Sequence, residues 1–301
     1  MTPQDVPIHP ALSRAAFDRA AQERLMPGLV DRMRADRESR VLAVHGDRAP
    51  LTADGGLRMT PAAEVVGEVE WAFLGRDRQG RALLIAASSA DEPAPVEAAT
   101  WGSLREVGGE LDGEQAAVFV TALALGRWLL DAPFCAHCGS RTEVRSAGWA
   151  RSCPACGREH FPRTDPAVIV AITDGADERL LLGKNALWAS RNMYSAFAGF
   201  VEAGESLEAA VVREVEEEAG VRVRALRYRG SQSWPYPRSL MLGFHATAAP
   251  WPEARADGEE IVQVRWFTRA ELTEAFAGRG DVRLPGPASI AHQLIRDWVG
   301  R

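Results

Sequence analysis

The chain has 301 residues, 46% of them hydrophobic and 25% charged, with a formal net charge of −6. This length supports two or three small domains whose cores need no disulfides, and the composition is that of a globular protein. The acidic balance excludes a broad basic footprint for nucleic acid, while leaving room for a nucleotide or an RNA end in a local pocket.

The opening MTPQDVPIHP has no basic region followed by an apolar one, and the closing DWVGR is no peroxisomal address. The longest apolar run, residues 116–130, contains Gly126 and Arg127 and is too short to span a bilayer. The expectation is a cytoplasmic protein with no membrane partner.

Residues 1–130 read as a mixed α/β domain. Short apolar runs at 41–44, 71–74 and 82–87 are broken by Gly, Asp and Pro clusters, as in a sheet with turns. Residues 113–130 have helical composition, with Val118, Leu125 and Leu129 on one side. Arg32, Arg34, Asp36, Arg37 and Glu38 are expected to form a solvated helix face. Trp101 and Trp128 are expected in the domain core.

Residues 131–161 change to cysteine, glycine and turn residues. Cys135 and Cys138, and then Cys153 and Cys156, form two CxxC pairs separated by fourteen residues, each followed by a glycine, Gly139 and Gly157. Four thiolates at this spacing can close tetrahedrally on one Zn2+, leaving no position open for chemistry. Two disulfides are disfavoured in a cytosolic setting, and a redox motif would leave one CxxC unexplained. His137 is expected to be a bystander. Zinc ribbons also occur in nucleic-acid binders, but Arg141, Arg145, Arg151 and Arg158 are too few to carry that role alone.

Residues 162–301 alternate strands and helices in an order that fits an α/β/α sandwich. Strands are expected at 167–172, 179–182, 196–201, 221–228, 240–246 and 261–267, and helices near 269–276 and 289–299. Between them lies GFVEAGESLEAAVVREVEEEAGV, residues 199–221. Ser206 suits an N-cap and Gly220 a C′ position, and Val211, Val215 and Ala219 supply an apolar arc. Glu214, Glu217 and Glu218 stand at i, i+3 and i+4, on one face. Arg213 can pair with Glu217, and Glu216 points elsewhere. Three clustered carboxylates call for a cation or a solvated surface, which suggests divalent metal and a phosphate-bearing substrate.

Gly199, Glu205, Arg213, Glu214, Val215, Glu217, Glu218, Gly220 and Val221 match the Nudix box without departure, so the chain resembles the Nudix hydrolases. Downstream, Ser231-Gln232-Ser233-Trp234-Pro235-Tyr236-Pro237-Arg238-Ser239 resembles the SQPWPFPxS signature of the NADH pyrophosphatase subfamily. Ser233 stands there for proline and Tyr236 for phenylalanine. The ribbon before the Nudix domain is a second mark of that subfamily.

The resemblance implies a Nudix α/β/α sandwich preceded by the ribbon and the N-terminal domain. It also implies hydrolysis of the pyrophosphate bond of NAD(H) to NMN(H) and AMP, and permits removal of NAD caps from RNA 5′ ends. Several catalytic Mg2+ or Mn2+ ions would be held by Glu214, Glu217, Glu218 and Glu260 with the Ala198 carbonyl; Glu205 and Arg213 would support the box. Nicotinamide-stacking aromatics fall on Phe161 and Phe200. Gln232, Ser233, Trp234, Pro235, Tyr236, Pro237, Arg238 and Ser239 would line the pocket, and Ala291 matches a further contact. Gly148, before Trp149, replaces a glutamate of the subfamily. A homodimer is likewise implied. The competing readings are broader activity on ADP-ribose or dinucleoside polyphosphates, and a zinc-ribbon nucleic-acid binder without turnover.

Overall fold

The computed structural model describes residues 8–13, 17–249 and 253–300. The first seven residues, on which the signal-peptide reading rests, and the terminal Arg301 lie outside them. The described residues form two compact units. One holds residues 12–164 with 235–238, and the other holds residues 8–11, 165–234 and 239–300.

In the first unit, helix α1 (Leu29–Ala35) precedes strands β1 (Arg40–His45), β2 (Arg48–Pro50), β3 (Glu70–Arg76), β4 (Ala82–Ser88) and β5 (Trp101–Ser103). The sheet order is β3-β4-β1-β2-β5, with only the β1–β4 pair parallel. Helices α2 (Leu104–Val107) and α3 (Gly113–Asp131) follow. Apolar residues at 41–44, 72–74 and 82–87 are all buried, as a sheet covered on both faces requires. Helix α3 is buried on more than the one side expected, with Phe119, Ala122, Leu123 and Gly126 joining Val118, Leu125 and Leu129. Trp128 is buried and Trp101 half-buried, edge-on to His45 at 5.8 Å.

Arg32, Arg34, Asp36, Arg37 and Glu38 are all exposed, as expected, but only part of the run is helical. Helix α1 ends at Ala35, Asp36 is its extended C-cap, and Arg37 and Glu38 lie beyond it. Arg34 is not merely solvated, since its guanidinium stacks 4.4 Å from the Trp71 ring centroid.

The ribbon adds strands β6 (Glu143–Arg145), β7 (Ala150–Ser152) and β8 (Glu159–His160) in an antiparallel sheet. Trp149 is anchored by its indole N–H, which donates to the Phe73 carbonyl at 2.8 Å.

The second unit contains β9 (Asp165–Thr173), β10 (Arg179–Asn185), β11 (Phe197–Phe200), α4 (Leu207–Ala219), β12 (Val223–Trp234), β13 (Ser239–Ala248), β14 (Ile261–Thr268), α5 (Arg269–Phe276) and α6 (Ile290–Val299). The strand order is β12-β13-β9-β10-β14, with β11 also on β9 and the β9–β13 pair parallel. Alternation along the strands sends Val168, Val170, Ile172 and Leu181 to one face, where Ala210, Val211, Val215 and Ala219 of α4 cover them. Ile169, Ala171, Leu180 and Leu182 point to the other face, covered by Leu272 of α5 and Ile290, Leu294, Ile295 and Trp298 of α6. This is an α/β/α sandwich. Ile8 belongs to this core as well, and its N–H donates to the Arg229 carbonyl.

Candidate active site and zinc centre

The two CxxC turns have the same backbone. The N–H groups of Gly139 and Gly157 bond the carbonyls of Cys135 and Cys153, and both glycines have positive φ, +74° and +72°. These turns bring four Sγ atoms within 4.8 Å of one another, the one such cluster among the described residues. Sulfur separations of 3.6 Å (Cys135–Cys156) and 3.5 Å (Cys138–Cys153) decide between the sequence alternatives. A disulfide needs about 2.05 Å. Ligands on tetrahedral zinc, at about 2.3 Å each, stand about 3.8 Å apart. The thiols fit one structural Zn2+. The backbone N–H and hydroxyl of Ser140 push the Cys138 thiol down to about 6, whereas, against the lowering bond from the Arg158 backbone, burial and the neighbouring thiols push Cys156 up to about 12. His137 is exposed, as a bystander should be. His160, which sequence reasoning missed, places Nε2 3.3 Å from Cys135 Sγ.

Helix α4 begins and ends where its sequence says. Ser206 Oγ accepts from the Ala209 N–H, and Gly220 caps the C-terminus at φ +64°. Arg213 is the hub of the helix. Its Nε and Nη2 grip Glu205 at 2.9 and 2.8 Å, Nη1 reaches Glu214 at 2.8 Å and Glu217 at 3.1 Å, and Nη2 also donates to the Phe200 carbonyl. The bond to Arg213 and the Glu202 N–H hold the Glu205 carboxyl below the usual carboxylate range.

The three box carboxylates do not share one environment. Glu217 is 61% exposed and turned to Arg213, whereas Glu218 is only 5% exposed. Glu214 lies against the backbone of Gly199, where an added Cβ would stand 1.9 Å from its carboxyl carbon. The first glycine of the box therefore makes room for Glu214. Burial, with the charges of Glu260 and Glu214, pushes the Glu218 carboxyl up to about 8, against the lowering bond from the Ala198 N–H. Its Oε2 has no hydrogen-bond partner among the described residues. An orphaned buried oxygen among like charges, all from hard carboxylate donors, fits a divalent cation of the Mg2+ type. Glu260 stands in a bend, one residue before β14 rather than on it, and its Oε1 accepts from Asn185 Nδ2 at 3.2 Å.

Ala198, Phe200, Arg213, Glu214, Ser239 and Glu260 line one cleft of about 430 Å3, with Gly199, Glu202 and Met241. Phe200 is 54% exposed there, a ring free to stack. Phe161 is 58% exposed and belongs to the first unit. The downstream signature is divided. Ser233 and Trp234 are half-buried on β12, with Ser233 opposite Leu240. Pro235, Tyr236, Pro237 and Arg238 group with the first unit, where Arg127 donates to the Pro235 carbonyl and Arg105 stacks 3.8 Å from the Tyr236 ring centroid. Gln232 is buried, and its Nε2 donates to the Ala288 carbonyl at 3.1 Å. Ala291 is also buried in the α6 core, and neither lines the cleft. At Gly148 the structure explains the departure from the subfamily: φ is +100°, and a Cβ would meet that of Ala72 at 2.2 Å.

The chain matches the NUDIX domain over residues 163–284, the NADH pyrophosphatase zinc ribbon domain over 131–161, and the NADH pyrophosphatase-like rudimentary NUDIX domain over 28–128. It is 40% identical to the "NAD-capped RNA hydrolase NudC" of Mycobacterium tuberculosis, across 96% of this chain and 95% of that protein. The chain belongs to the NADH pyrophosphatase family of Nudix hydrolases. Proteins of the same name from Stutzerimonas stutzeri and Pseudomonas aeruginosa are 40% and 38% identical over 70% of this chain, covering 72% and 71% of their own lengths. Within this Nudix family the matched segments follow the order rudimentary domain, ribbon, catalytic domain. Among the described residues no helix is long and apolar enough to cross a membrane.

Proposed function

We propose that this chain hydrolyses the pyrophosphate bond of NAD(H), yielding NMN(H) and AMP, and removes NAD caps from RNA 5′ ends by breaking the same bond. The observation that carries this reading is the cleft itself, in which the Glu214 and Glu260 carboxylates stand beside the exposed ring of Phe200. Carboxylates suit the metal that a pyrophosphate needs, and an open aromatic face suits a planar heterocycle. Extended similarity to proteins named NAD-capped RNA hydrolase supports the substrate.

Glu214, Glu217, Glu218, Glu260 and the Ala198 carbonyl are the proposed ligands for Mg2+ or Mn2+. Bound there, divalent ions supply neutralisation of the doubly ionised pyrophosphate and activation of the attacking water. One of these four carboxylates would serve as the base for the attacking water. Arg213 and Glu205 brace the box from the helix side, and the exposed ring of Phe200 receives the nicotinamide. Ser239 lines the proposed substrate pocket, and Gln232 and Ala291 support it from beneath its surface. The proposal includes a homodimer and a cytoplasmic location, and a division at residues 130/131 and 161/162; the ranges of the family matches support the division alone.

The test is incubation with NADH, NAD, ADP-ribose and NAD-capped RNA, each with Mg2+ or Mn2+, and resolution of the products. Preferential formation of NMNH and AMP, with NMN released from capped RNA, is expected. Failure to cleave any of the four, together with tight RNA binding, would instead make the chain a binding module.

A further inference from the structure

Strands β10 and β14 pair in register from Arg179 opposite Thr268 to Lys184 opposite Gln263, then slip, so that Asn185 stands opposite Ile261. The slip sets Asn185 beside the bend that carries Glu260. Asn185 Nδ2 donates to Glu260 Oε1 at 3.2 Å, while Asn185 Oδ1 accepts from the Leu187 N–H at 2.9 Å. The next residue, Ala186, donates its N–H to the Glu260 carbonyl at 2.8 Å. The amide orientation follows from these partners. A backbone N–H at Leu187 requires the oxygen, so the NH2 group must face the carboxylate.

Glu260 is exposed and borders the cleft that Glu214 also lines. Left alone, a flexible carboxylate among like charges turns toward water. A neutral amide donor restrains it without cancelling the charge that attracts a cation, as an arginine in the same place would. Donors of this kind orient metal ligands in many sites.

We infer that Asn185 is a positioning residue for Glu260, holding its carboxylate at the cleft in the orientation that binds the divalent metal. This rests on the proposed metal site, but Asn185 itself lies outside the Nudix box and outside every segment the sequence singled out.

The test uses Asn185→Ser and Asn185→Asp in the full chain, alone and with Glu260→Gln. Serine and aspartate both cap well, so each keeps an acceptor for the Leu187 N–H. Serine is too short to reach Glu260, and aspartate repels it. Mn2+ affinity, read by electron paramagnetic resonance without substrate, is expected to fall about 10- to 100-fold in both variants. With NADH, kcat should fall while KM changes little. In the Glu260→Gln background, Asn185→Ser should produce no further loss of Mn2+ affinity, because the two residues act through one bond. Unchanged Mn2+ affinity in the single variants, or an equal loss in the Glu260→Gln background, overturns the inference. If the wild-type chain leaves NADH intact while the Mn2+ results hold, the proposed substrate fails and the role of Asn185 stands.

Discussion

At Gly199 one missing methyl group decides where a carboxylate sits. The atom that a Cβ would strike is the far end of the Glu214 side chain, so an alanine displaces the carboxylate rather than the fold. Gly199→Ala should therefore keep the wild-type melting temperature while lowering kcat by about 100-fold, the scale of a misplaced catalytic group; calorimetry and steady-state assays read the two effects separately. Glu217 and Glu218 differ in surroundings but serve one proposed site. Replacing both by glutamine should abolish turnover and leave one zinc per chain by elemental analysis. Because Glu218 is a buried carboxylate with an orphaned oxygen, Glu218→Gln alone should stabilise the chelator-treated protein toward heat, whereas Glu217→Gln should change its melting temperature little.

Among the elements, the ribbon shows why a family residue was lost. The backbone at residues 146–148 is left-handed at three successive positions, with φ of +49°, +50° and +100°. Gly148 also packs against Ala72 of β3. Restoring the subfamily's glutamate by Gly148→Glu should cost more than about 2 kcal/mol through overpacking and an unfavourable backbone; urea denaturation followed by tryptophan fluorescence would measure it. A variant as stable as the wild type would mean that β3 and the ribbon yield at this contact. Helix α4 needed no such correction. Its cap residues, apolar arc and Arg213–Glu217 pair are all local, set by a period of 3.6 residues.

For the whole molecule, acid is the informative stress. Glu23 receives Arg76 Nε and Nη2 at 2.7 Å each, and these bonds hold its carboxyl below the ordinary value of 4.5. A carboxylate so lowered stabilises the fold fully above about pH 4.5, and that contribution is lost as pH falls through the lowered value. Glu106 and Glu271, each bonded by the N–H of its own helix cap, act in the same direction. Glu23→Gln should lose about 1 kcal/mol at pH 7 and show a shallower decline on acidification, read by chemical denaturation at several pH values. A decline as steep as the wild type's would assign acid sensitivity to other groups.

The sequence by itself determined the strands and helices of the sandwich, the zinc-binding knuckles and the residues of the Nudix box, because each depends on spacing within a short segment. Alternation places Val168 and Ile169 on opposite faces, and CxxC followed by glycine folds the same way twice. Helical period already sets Glu218 beside the apolar arc of Val211 and Val215, with Glu217 turned away from it. Only the tertiary structure decided that the buried Glu218 Oε2 is left without a hydrogen-bond partner among the described residues. It likewise set Gln232 and Ala291 into the core rather than on the cleft surface. It brought Asn185 to Glu260 across 75 residues, through a slip in strand register. Such pairings depend on distant segments meeting, and no local period or spacing encodes them.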